Sequence, residues 1–200
     1  MAQVPLLHAW KDAEPYLEML KDTVKKDIRP LLCVPGKAPF AICREVLSYV
    51  DHLGHLYSGR SQVGERSRDF LKQVMSMIDP NYGKRASEIY QMFRCGSVHE
   101  FEPKTLENRS GDTLTWFCYA GARQDTFTHA GKALSVIHLE PILGPSPTGY
   151  WLPVSTQCLV DDIEASIDRF CQAGPDNERV TLWNRAAREL STPEPYDFVV

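Results

Sequence analysis

Arg94 and His99 stand five positions apart in Phe93-Arg94-Cys95-Gly96-Ser97-Val98-His99-Glu100, and these two residue types together suit one kind of chemistry. An imidazole, with a reference pKa of about 6.5, accepts or returns a proton near neutral pH. A guanidinium grips a phosphate oxygen through a two-pronged hydrogen bond and offsets the charge that develops there. Attack by a ribose 2′-hydroxyl on its own phosphodiester needs both roles, with His99 as base and Arg94 as phosphate clamp, and needs no metal. The competing duty is structural: Arg94 pairs with a carboxylate and His99 satisfies carbonyls beyond a helix end. Gly96 lies between them and breaks the helix, whereas an unbroken helix would set the two side chains about 140° apart. A second pair, Arg123 and His129, sits in a glycine-flanked connection between two expected strands.

With Arg94-x4-His99 at the end of a helical segment, the chain resembles the HEPN superfamily over about residues 40–100. The resemblance implies a helical bundle, commonly dimeric, and often a metal-independent ribonuclease of toxin, antiviral-defence or RNA-processing systems. Cys95 departs from the polar residue usual at that place in the family, and the strand-rich second half has no counterpart in the minimal bundle.

An RNA partner would meet the first half of the chain. Between Tyr57 and His99 seven basic residues face four acidic ones, although the whole chain carries a net charge of −4. Arg60, Arg66, Arg68, Lys84 and Arg85 are the candidate substrate contacts; their competing role is a solvated face of mixed charge. An acidic chain of this kind does not track nucleic acid with its whole surface. His52 and His55 share a helix face, with Glu45 or Asp51 near in sequence, but a third strong ligand at recognisable spacing is missing. No metal and no cofactor are therefore expected. The six cysteines form no Cys-x-x-Cys, and free thiols in a reducing compartment are the expectation.

The elements that must position Arg94 and His99 follow from periodicity. Apolar residues at three- and four-residue steps predict a helix over 12–29 (Tyr16, Leu17, Leu20, Val24, Ile28), ended by Pro30. They predict a second helix through Ile42, Val46, Tyr49, Val50, Leu53 and Tyr57, and a third through Phe70, Val74 and Met77. Asp79-Pro80-Asn81-Tyr82-Gly83 predicts a turn, and a shorter helix over 84–94 is stopped by Gly96. Beyond His99 the period changes. Residues 113–119 and 133–139 read as strands and 150–154 as extended chain. A helix follows with Leu159, Ile163, Ile167 and Phe170 inward, then a last one capped by Asp176 and running to about Leu190. The aromatic set Trp116, Phe117, Tyr119, Tyr150 and Trp151 suits either the core or a stacking platform for RNA bases.

The expected class is α+β: an N-terminal antiparallel helical bundle, then a small antiparallel sheet and C-terminal helices. Its parts are a bundle over 1–100, a strand-containing extension with two helices over 101–190, and a tail over 191–200. No apolar run of about 18 residues and no export-signal pattern at the N-terminus is present, so a cytoplasmic protein with no membrane association is expected. The functional expectation is an RNA-binding protein or metal-independent ribonuclease working as a homodimer. The alternative is a non-enzymatic helical scaffold assembled with a partner protein.

Overall fold

An apolar stripe at helical spacing makes the helix Pro39–Ser58 (α2) the hub of the molecule. Its Ile42, Cys43, Val46, Val50, Leu53 and Leu56 are at most 1% exposed, as expected of a helix buried on most of its circumference. The computed structural model describes residues 3–34, 39–95, 104–129, 131–144, 148–172 and 177–192, and of residues 93–95 and 129 the backbone alone.

Around α2 pack α1 (Glu14–Thr23), α3 (Val63–Gln73), α4 (Pro80–Lys84), α5 (Ala86–Ile89), α6 (Thr156–Gln172) and α7 (Asn177–Ser191). α1 does not stop at Pro30. It widens into a π-helical turn over Val24–Ile28 and tightens into a 3-10 turn over Arg29–Cys33. Pro30 sits early in that last turn, where its missing N–H leaves no hydrogen bond unmade. The turn expected at Asp79–Gly83 is instead a helix start: the Asp79 carboxylate accepts the Asn81 N–H at 2.8 Å and Pro80 takes the first helical position. Asp-Pro serves both structures equally well. α5 continues as a π-helical turn over Tyr90–Cys95; Gly96, its expected stop, lies outside the described residues, as does Asp176, the expected cap of α7.

α2 and α3 touch backbone to backbone at Gly54, where a Cβ would fall 2.4 Å from the Arg66 carbonyl oxygen. Gly59, at φ +62°, then ends α2 in the left-handed conformation that glycine adopts without strain. α7 is anchored by Trp183. Its ring, fully buried, meets Trp10 and Tyr16 edge-on at 5.9 and 5.8 Å, and its indole N–H donates to the Pro5 carbonyl at 2.8 Å. Asn184 pairs both ways with Leu7, accepting its N–H at 2.7 Å and donating to its carbonyl at 2.8 Å.

The strands are β1 (Leu106–Glu107), β2 (Thr113–Tyr119), β3 (Gln124–His129), β4 (Lys132–Ile137), β5 (Ile142–Leu143) and β6 (Gly149–Ser155). One sheet has the order β1-β2-β6-β5, and β3 with β4 forms a separate hairpin. The hairpin and both outer pairs of the sheet are antiparallel, as expected. The central pair runs parallel, from Thr113 opposite Gly149 to Tyr119 opposite Ser155. Residues 124–129, expected as connection, are therefore a strand.

Alternation divides the aromatic set. Trp116, with Leu152 and Val154, faces the helices and is 7% exposed. Phe117 lies on the other face, 4.8 Å from Phe127 of the hairpin and 5.6 Å from Trp151, so the hairpin closes a second aromatic layer. The main core takes Leu17, Val46 and Phe70 from one half of the chain and Ile163, Phe170 and Trp183 from the other. Both halves of the chain thus contribute to one core. The architecture is α+β, helices first, then the small sheet, then helices. Among the described residues no helix is long and apolar enough to cross a membrane.

Candidate functional site

Arg94 lies on the π-helical turn that extends α5, and Met92 and Ile89, 0% and 3% exposed, seat that turn on the core. The Lys104 N–H donates to the Met92 carbonyl at 3.0 Å. The described chain on either side of the stretch that holds Arg94 and His99 is thereby joined at Met92 and Lys104. The Arg94 side chain and all of His99 lie outside the described residues.

The candidate substrate contacts fall into two groups. Arg68 stacks its guanidinium 5.2 Å from the ring centre of Tyr90, the first residue of the Arg94 turn. Arg85 pairs with Glu88 at 3.1 Å where α5 begins, and Lys84 is exposed just before it. These three adjoin the helix that carries Arg94. Arg60 and Arg66 are held elsewhere: Arg60 pairs with Glu65 at 2.8 Å, and Arg66 grips both oxygens of Asp51 at 2.9 and 2.7 Å. Beside α5 opens a cleft of about 460 Å³ between Arg85 and the β1–β2 turn, and Glu88, Glu107 and Asp112 line it too. This mixed lining attracts a polyanion weakly.

His52 and His55 are both engaged. The His52 ring meets the Tyr16 hydroxyl at 3.0 Å, and burial pushes its pKa down to about 4. His55 accepts from Arg66 at Nδ1 (3.2 Å), so Nε2 carries the hydrogen and donates to Glu189 at 3.0 Å. Burial and then the Arg66 charge push its pKa down, against the pull of Glu189. Among the described residues no group of three His, Cys, Asp or Glu side chains is placed to hold a metal ion.

Sequence reasoning missed the most deeply buried polar cluster. Arg123, noticed only for its spacing from His129, binds Asp79 through one amino group and Asp162 at 2.6 Å through the other. The Tyr82 hydroxyl donates to the other oxygen of Asp162 at 2.8 Å and meets His138 Nε2 at 3.0 Å. The Ser155 N–H donates to His138 Nδ1 at 3.0 Å, which fixes the ring as the neutral Nε2–H tautomer. Burial, then the Arg123 charge, push the His138 pKa down to about 3. Burial raises that of Asp162, and Arg123 opposes the rise. In this set the carboxylates, the Tyr82 hydroxyl and both ring nitrogens of His138 are engaged by protein, so it clamps α4, α6 and the strands together instead of offering a group to a substrate. Arg123 lies 44 and 39 positions from its carboxylates, beyond the reach of any local motif.

Of the five cysteines whose side chains are described, all are free thiols; Cys43 and Cys158 are buried and Cys33 is exposed. No protein-family model, no curated protein and no solved structure matches this chain.

Proposed function

We propose that the chain is a cytoplasmic, HEPN-like RNA-binding protein or metal-independent ribonuclease, in which His99 is the base and Arg94 the phosphate clamp. The observation that supports this reading is the Lys104 N–H to Met92 carbonyl bond, which joins the described chain on either side of the stretch that holds both residues, at the end of the helical run. Arg68, Lys84 and Arg85 adjoin the helix that carries Arg94 and would supply cations for the RNA backbone. One arginine and one histidine supply few contacts to a phosphodiester, so the site would combine two copies across a two-fold axis, the commonest symmetry of homo-oligomers.

The test is incubation of the purified protein with total RNA in EDTA. Cleavage leaving 2′,3′-cyclic phosphate ends is expected, absent in His99→Ala and lowered at least about tenfold in Arg94→Lys, whose point charge does not reproduce the two-pronged grip. Cleavage that stops in EDTA, or survives in His99→Ala, overturns the mechanism. The non-enzymatic scaffold is favoured by a different observation: Arg60, Arg66 and Arg85 are each bound to a carboxylate of the chain itself. An intact RNA pool with both variants and wild type alike selects it.

A further inference from the structure

We propose that Cys43 and Cys118 are an oxidisable pair, which a hydroperoxide converts into a disulfide joining α2 to β2. The two sulfur atoms stand 3.8 Å apart, and among the described residues this is the one contact between thiols. It is part of a seam in which α2 lies along β2: one turn earlier on the helix, Phe40 packs against Trp116 at 5.9 Å. A disulfide requires a separation of about 2.05 Å, so the sulfurs must close by somewhat less than 2 Å. An apolar void of about 10 Å³ borders Cys43 together with Val46, Leu47 and Val154, which gives the Cys43 side chain a little room to shift. Both partners are held by regular elements, so the second thiol meets the oxidised first at high effective concentration.

The exposures divide the labour. Cys118 is partly exposed and Cys43 fully buried, which makes Cys118 the sulfur that meets the peroxide. Its thiol attacks one peroxide oxygen, the O–O bond breaks, and a sulfenic acid and one water result. Cys43 sulfur then attacks Cys118 sulfur. The S–S bond forms, the S–O bond breaks, and hydroxide leaves with the Cys43 proton as a second water. In sum two thiols give up two protons and two electrons, and hydrogen peroxide becomes two waters. Burial pushes the Cys43 thiol pKa up, and contact with Cys118 adds to this, so Cys43 rests as the thiol at neutral pH.

The experiment treats the full chain with hydrogen peroxide, then alkylates and digests it without reductant. Before alkylation the expected product is lighter than the reduced chain by about 2 Da; after alkylation and digestion it yields a cross-linked peptide pair containing Cys43 and Cys118, and the link reverts with dithiothreitol. Because the bond ties residues 75 positions apart, oxidised protein should melt about 5–10 °C above reduced protein. Cys118→Ser should lose both the mass change and the melting shift. A map in which Cys43 remains a thiol while Cys118 proceeds to sulfinic acid overturns the proposal, as does linkage through other cysteines. None of these readouts involves RNA.

Discussion

His138 is an imidazole that the fold keeps neutral, and the same holds for His52. Their folded pKa values of about 3 and about 4 lie below the 6.5 of a free ring, chiefly through burial. Below pH 6.5 the unfolded chain therefore binds protons that the folded chain refuses. The stability tied to these rings is complete above pH 6.5 and is lost as the pH falls toward 4 for His52 and toward 3 for His138. For His138 the loss at pH 5 is on the order of 2 kcal/mol. Urea melts at pH 7 and pH 5 measure it: wild type should weaken at pH 5, and His138→Gln should show a smaller pH difference. The arginine facing His138 makes a separate prediction. Arg123→Met leaves Asp79 and Asp162, 6% and 4% exposed, without their cation, which should cost about 3 kcal/mol at pH 7 in the same melts; a loss below about 1 kcal/mol would refute the clamp. At this scale the sequence exposed Arg94 and His99 because both stand in one short stretch. The Arg123 cluster was hidden because it assembles from four separate elements.

Helices and strands were more legible than sites because burial repeats along each element. The stripe Ile42, Val46, Val50, Leu53 is the inner face of α2, and Thr113–Tyr119 is a strand as its β-branched and aromatic residues imply. β3 escaped because Gln124, Thr126 and Thr128 point to solvent and Phe127 alone anchors the strand among the aromatics. Gly131, at φ +78°, was the available signal: such a residue suits the tight turn joining β3 to β4. The parallel pairing of β2 with β6 had no local signal at all, since pairing direction is decided by what the intervening chain does. Helix contact supplies the prediction at this scale. Gly54→Ala places a methyl group against the Arg66 backbone and should destabilise by about 2–3 kcal/mol in urea melts, although alanine is the better helix former. An unchanged or raised midpoint would mean that α3 can move away freely.

For the molecule as a whole, the proposed two-copy site makes association measurable. Light scattering at tens of micromolar protein, near the weak end of specific association, should give twice the chain mass of 22.7 kDa; a monomer at that concentration counts against a shared site. The order in which the chain is made adds a different consequence. Trp183 and Asn184 grip Pro5 and Leu7 across 178 and 177 positions, and Phe170 and Trp183 cover the same core that α2 enters. At a synthesis rate of about 5–20 residues per second, the apolar face of α2 waits several seconds for its last partners to leave the ribosome. Throughout that interval the nascent chain presents a half-covered hydrophobic surface, the kind of surface through which incomplete chains aggregate.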